Sequence, residues 1–257
     1  MNSVRNVLAI AGKEIRSYFA SPIAYIIIGL FAFVFGRFFD VYLAFFVQRS
    51  SGMNPMGGGA NNINQDMIRY VFMNSAVIIL FMMPIITMRT YSEEKRSGTI
   101  ELLLTSPLTD LQIILGKFLG AMALYAGMLA VTLPHMAVLF WYGNPEWRPI
   151  AAGYLGLLLM GGSFVSLGLL ISSLTKNQIV AAAITFVAFL TLWIISWTAD
   201  QSGPWMRAVL THLSIIDHYD DFARGIIDTK HLIYYLSFIT FGLFLTAKSV
   251  DSERWRG

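Results

Sequence analysis

The chain has 257 residues, 56% of them hydrophobic and 13% charged, against the ~25% charge of an ordinary soluble domain. Its 18 Lys and Arg and 15 Asp and Glu residues are too few to solvate a globule of this size. Long apolar runs with short polar breaks mark a multispan α-helical membrane protein and exclude a barrel, whose strands would alternate over ~10 residues.

Residues 1–21 read as an amphipathic helix in the headgroup layer. Val4, Val7, Leu8, Ala11, Ile15, Tyr18 and Phe19 share one face, and Arg5, Lys13 and Arg16 the other. A helix packed on a partner would show the same period. No cleavable signal peptide is expected, since no apolar core with a small-residue site follows these charges. Six spans come next, at about 22–47, 67–88, 111–142, 150–172, 177–198 and 232–248. Residues 48–66, rich in Gly, Asn and Ser, read as a flexible loop. Ser172 to Asn177 forms a short polar hinge. One domain, 1–257, is expected, without repeats.

Charge placement orients the chain. With the N-terminus inside, eleven Lys and Arg residues fall on the inner side (Arg5, Lys13, Arg16, Arg89, Lys95, Arg96, Lys117, Lys176, Lys248, Arg254, Arg256) and six on the outer. Basic residues are retained in the cytosol, so both termini are expected there.

The inner segment 89–110 is the most informative. It opens polar, with Glu93, Glu94, Lys95 and Arg96; a short helix then starts at Gly98-Thr99, with Glu101 in its first turn, where an anion suits the helix dipole. Ile100, Leu102, Leu103 and Leu104 follow, and Pro107 stops the helix. Thr109 to Gln112 makes a capping box for the third span, which as one helix to Tyr142 would be ~50 Å long. The short helix is too small to stand alone, so its aliphatic residues either fold back on the chain or enter a partner's groove. Periodicity leaves both open.

The order Glu93-Glu94, Gly98-Thr99, Glu101, Leu102-Leu103, Pro107 and a later Lys117 resembles the signature of ABC-2 type permeases. The resemblance covers the whole chain, including the Ser-Ser-Leu-Thr-Lys-Asn break after the fourth span. It is nearest the gliding-motility and copper-maturation branch, where Arg-Gly-Ile-Ile-Asp (here Arg224 to Asp228) precedes the last span. It implies an all-α integral membrane fold of the type V exporter kind: six transmembrane helices, an N-terminal interfacial helix, a cytosolic coupling helix and short outer re-entrant helices. It further implies that 89–110 docks on a separate ABC ATPase subunit, through Glu93, Glu94, Gly98, Thr99, Glu101, Leu102, Leu103 and Pro107, and that the permease pairs with a second copy or a homologous permease. No G-x-x-x-x-G-K-[ST] loop occurs here, so ATP and Mg belong to the partner and this chain carries no cofactor of its own.

Arg37 and Asp40 in the first span and His135 beside Pro134 in the third are candidates for gating or the pathway, since charges within a membrane default to function. The aromatic neighbours of Arg37 and Asp40 would equally suit an interfacial belt, and His135 a core histidine satisfied by a neighbouring helix. His212, Asp217, His218 and Asp221 match no metal-ligand spacing. Gly161-Gly162-Ser163 is reminiscent of an intramembrane serine protease, but the fifth and sixth spans offer no histidine within the membrane as its base. Residues 199–231 mix polar and apolar side chains, as short helices dipping into the outer leaflet would.

The function expected is that of a permease subunit in the bacterial cytoplasmic membrane, working by alternating access and driven by another chain's ATP hydrolysis. The alternative is a permease-like scaffold for an extracytoplasmic machine such as a gliding-motility apparatus, with an extracytoplasmic accessory protein; nucleic acid is not expected. Few charged residues in the spans favour lipid-linked, amphipathic or drug-like cargo.

Overall fold

The computed structural model describes residues 3–51, 62–199 and 202–254, with the side chains of Leu104 and Arg254 outside the description. Most of the loop expected at 48–66, namely 52–61, lies outside the described residues, as does Arg256 of the charge pattern.

The described residues form twelve α-helices and no strand. They are α1 (Ser3–Ala20), α2 (Pro22–Ser50), α3 (Arg69–Thr87), α4 (Ser92–Ser97), α5 (Ile100–Leu104), α6 (Asp110–Ala130), α7 (Leu133–Tyr142), α8 (Trp147–Leu174), α9 (Gln178–Ala199), α10 (Pro204–Leu213), α11 (Ile215–Ala223) and α12 (Thr229–Arg254). A π-helical turn, Asn64–Ile68, leads into α3. Six helical stretches are long and apolar enough to cross a membrane: Pro22–Ser50, Asn64–Ser97, Asp110–Tyr142, Trp147–Leu174, Gln178–Ala199 and Thr229–Glu253. They coincide with the six expected spans, the first, second and last extending further than their apolar cores.

The third span departs from expectation. It is broken at Val131–Thr132 rather than running as one helix to Tyr142. Pro134 has no N–H for the carbonyl four residues back, and Thr132 turns the chain instead, its Oγ1 lying 2.7 Å from the Leu129 carbonyl oxygen and 2.6 Å from the Tyr154 hydroxyl. A second departure is α4, a helix where the sequence reads only as a polar opening.

α8 runs through the middle, packed on α3, α6, α9, α11 and α12. Its small residues let aromatic rings lie on its backbone: Tyr125 meets Gly161, Phe72 meets Gly153 and Phe222 meets Gly156. The Tyr125 hydroxyl donates to the Leu157 carbonyl at 2.7 Å. Ser163 is buried and its hydroxyl donates to Leu159, which makes it a packing residue. On the outside, Ile26, Phe33, Val187, Ile233 and Phe241 are exposed, an apolar surface suited to lipid.

The spans define two ends. The proximal end holds α1, residues 88–110 and the C-terminal turns of α8 and α12, where Ser173 meets Ser249. The distal end holds α10, α11 and the start of α12. Both ends of the described chain, Ser3 and Arg254, belong to proximal elements.

Candidate functional site

α1 packs along the start of α6. The stripe it buries is Ile10, Ala11, Glu14 and Tyr18, whereas Val4, Leu8 and Phe19 of the expected apolar face are exposed. The helix is therefore turned so that an acidic residue faces inward and part of its apolar stripe faces out. Two glycines of α6 make this approach possible. A Cβ at Gly116 would sit 2.5 Å from the Cβ of Ile10, and one at Gly120 2.6 Å from that of Glu14.

Between these glycines stands Lys117, whose side chain is 1% exposed. A buried ammonium needs carboxylates and acceptors around it. Its Nζ lies 2.9 Å from Glu14 Oε1, 2.9 Å from Glu94 Oε2 and 2.6 Å from the Thr90 carbonyl oxygen, with the Tyr91 ring 5.0 Å away. The bond to Glu14 is directional, whereas Glu94 Oε2 has an ion-pair distance without hydrogen-bond geometry. Lys13 completes the group, 3.2 Å from Glu94 Oε1. A cavity of about 190 Å³ opens beside it, bounded by Ser17, Tyr18, Arg89 and Thr99 among others. Tyr18 donates to the Ile86 carbonyl at 3.0 Å, and its burial pushes the phenol pKa up.

The turn from α3 into α4 is held by a residue far along the chain. Ser172 Oγ accepts from the Tyr91 and Ser92 amides, each at 3.1 Å, and donates to the Met88 carbonyl at 3.0 Å. Lys95 reaches the Ser173 carbonyl and Glu253. The polar break at 172–177, expected as a hinge, thus includes an anchor for the loop. α4 ends at Gly98, whose φ of 73° is the left-handed conformation that glycine adopts without strain.

The expected coupling residues divide between two environments. Glu94 turns inward to Lys117. Glu93 is exposed and pairs with Arg89 at 2.9 Å, one helical turn away. Gly98, Thr99, Glu101 and Pro107 are exposed, Leu103 is half-buried, and Ile100 packs on the core. Leu102 is 73% exposed among the described residues, an apolar side chain on a five-residue helix. Thr109 and Gln112 form the expected capping box. Sequence reasoning missed Glu14 and the inward direction of Lys117; the signal available was the Gly-Lys-x-x-Gly spacing 116–120, which leaves a lysine flanked by gaps on one helix face.

The three pathway candidates are not brought together. Arg37 and Asp40 pair at 3.5 Å with both side chains 64% exposed, on the outward face of α2. His135 points into the bundle between Phe35 and Phe39, ring centroids 5.3 and 5.2 Å away, and its Nδ1 is buried without a partner. The expected satisfaction by a neighbouring helix is not met at Nδ1. At the distal end, α10 lies on the surface with Trp205 and Met206 exposed, and α11 is tucked beneath it through Ile215, Ile216, Tyr219 and Phe222. Among the described residues no group of three or more His, Asp or Glu side chains is arranged to hold a metal ion.

The comparisons bear on this arrangement. The family model described as "ABC-2 family transporter protein" matches residues 47–215, which include the whole 89–110 segment and Lys117. Two curated proteins of Escherichia coli, from strains K12 and O157:H7, each called "Probable multidrug ABC transporter permease YbhR", are 30% identical over 155 residues, or 59% of this chain and 41% of theirs. The chain thus spans less than half the length of the relatives it matches. Six spans, the loop held at their proximal end and a family match over more than half its length agree: this chain is a multi-pass membrane protein belonging to the ABC-2 family of transporters.

Proposed function

We propose that this chain is the permease subunit of an ATP-driven exporter in the bacterial cytoplasmic membrane, paired with a second permease, its proximal end and both termini in the cytosol. A separate ABC ATPase docks on α4 and α5, and its closure drives alternating access. The observation that carries this reading is the pairing of exposed Leu102 with inward Glu94. α5 offers a partner an apolar contact, while the neighbouring helix is tied through Lys117 to α6 and through Glu14 to α1. A push on α4–α5 is thereby delivered to a spanning helix and to the interfacial helix together. Coupling of this kind requires ATP to favour one conformation over the other, and the linked loop transmits that preference. The multidrug description of the E. coli relatives and the few charges in the spans support an amphipathic or drug-like cargo.

Leu102→Asp places a charge where the partner's apolar contact is expected, and truncating such a contact costs ~2 kcal/mol or more. The variant should insert and fold normally yet lose copurification of the ATPase or its transport-coupled hydrolysis. Glu101→Lys should weaken the same contact less, by roughly 0.3–1 kcal/mol through the helix dipole. Wild-type copurification and coupled turnover in both variants would refute docking at α5.

A further inference from the structure

The distal end contains a chain of hydrogen bonds that the proposed coupling through α4 and α5 does not use. Asp221 Oδ2 lies 2.7 Å from His231 Nε2, His231 Nδ1 lies 2.6 Å from His218 Nδ1, and His218 Nε2 lies 3.1 Å from the His212 carbonyl oxygen. Three helices contribute: α10 the carbonyl, α11 Asp221 and His218, and α12 His231. The rings are well fixed, with His218 stacked on Tyr234 at 3.8 Å and both imidazoles buried.

Donor and acceptor roles follow from one end. A carbonyl oxygen only accepts, so His218 carries its proton on Nε2. A neutral His218 then presents a lone pair at Nδ1, and His231 must donate to it from its own Nδ1. The contact between His231 Nε2 and Asp221 needs one more proton, held on the imidazole or on the carboxyl group. The chain closes with three protons and no net charge. Removing the shared proton restores the Asp221 carboxylate, which claims the remaining His231 proton at Nε2 and leaves two lone pairs facing across 2.6 Å. Adding a proton to His218 leaves two N–H groups facing there instead. Either change breaks the His218–His231 bond, one of three among the described residues that join α11 to α12, the others being the Asp221–His231 contact and the Tyr235 hydroxyl donating to the Ile215 carbonyl at 2.8 Å.

We propose that Asp221, His231 and His218 form a proton-binding latch that ties α10 and α11 to α12 in a single protonation state and opens when one proton is gained or lost. The group lines an open cavity of about 580 Å³. The charged and titratable groups around His218 are Arg207 and His212 from α10, Asp217 and Asp221 from α11, and Lys230, His231, Tyr234 and Tyr235 from α12. Burial, opposed by the hydrogen bond to the His212 carbonyl and reinforced by His231, pushes the His218 imidazole down to about 4. That sets the acid limb, and loss of the proton shared by His231 and Asp221 sets the alkaline limb. The latch requires neither ATPase nor cargo, so its failure and that of the permease reading are separable.

The test uses the full chain in lipid nanodiscs, spin-labelled at Ala208→Cys on α10 without background, since the sequence has no cysteine. Nitroxide mobility should be lowest on a plateau and rise on both its acid and its alkaline side, the closed-to-open ratio changing about tenfold per pH unit as for one proton. Asp221→Asn should keep the acid limb and lose the alkaline one, because the amide can donate to His231 Nε2 and leave a neutral His231 donating from Nδ1. On the plateau, ¹⁵N-histidine spectra should show His218 as the Nε2–H tautomer. Mobility independent of pH in the unmutated sequence, two surviving limbs in Asp221→Asn, or a neutral His218 protonated on Nδ1 would each overturn the latch.

Discussion

Replacing Lys117 with Met tests whether α1 is held by charge as well as by fit. The substitution keeps the unbranched stem beside Gly116 and Gly120 and removes only the ammonium. Glu14 and Glu94, whose side chains are 11% and 13% exposed, then face one another, with Lys13 reaching Glu94 alone. Breaking a buried pair by removing one partner costs about 3–5 kcal/mol, most of it the charge left behind. Because α1 meets the bundle largely along α6, the loss falls on its docking. At ~1.4 kcal/mol per tenfold, even 3 kcal/mol lowers amide-exchange protection in the second half of α1 by about two orders of magnitude. Hydrogen–deuterium exchange of the chain in nanodiscs, followed over residues 10–20, reads this directly. Adding Glu14→Gln to Lys117→Met removes the like-charge repulsion and should recover part of the protection. Unchanged exchange in the single variant would show that Gly116 and Gly120 packing holds α1 and that the ion pairs are incidental.

Further perturbations should act on separate elements. Gly116→Val drives its side chain into Ile10, where even a Cβ has only 2.5 Å, and should release α1 to protease with the spans intact. Ser172→Ala strands the Tyr91 and Ser92 amides, costs ~1–3 kcal/mol, and should loosen the 88–97 segment in hydrogen exchange before any other. Gly98→Ala forces a Cβ into left-handed backbone at ~1–2 kcal/mol and should lower ATPase copurification without changing expression. The unfolded chain titrates His218 near 6.5 and the folded one near 4. Between those values the unfolded state binds more protons, so denaturation midpoints should fall as pH drops through that window and stay level above it as far as His218 is concerned.

The spans were legible because burial in lipid demands long apolar runs, and capping of α6 was legible because Thr109 and Gln112 satisfy amides within four residues of each other. What escaped depends on rotation and on distant partners. Glu93 and Glu94 are adjacent and chemically alike; a turn of about 100° sends one to solvent and the other to Lys117, and nothing local decides which. Glu14 looked like one more polar residue of an interfacial helix, because the cation it meets lies 103 residues later. A disturbance of the third span was legible in Pro134, whereas the turn at Thr132, whose hydroxyl satisfies a carbonyl that a continuous helix would leave to an amide, is invisible to hydropathy. The meeting of His231 with His218 depends on how the start of α12 sits beside α11, which hydropathy does not show. The feature legible in part was the proximal loop: its residue types are in the sequence, and their division into inward and outward sets is not.

The buried lysine also has a consequence for the order in which the molecule is made. A cation in the wall of a membrane protein is hardest to place when it leaves the ribosome before its counter-charges. Here both carboxylates precede it: Glu14 lies in α1 and Glu94 in the loop just ahead of α6. When Lys117 appears, the acidic side of its pocket has already been synthesised and awaits only the docking of α6. On this order α1 is available as an acceptor for Lys117 during insertion, and in the folded protein it braces α6. Nascent chains lacking residues 1–20 should show their defect first at α6, as slowed membrane integration, while the hairpin of α2 and α3 inserts on schedule.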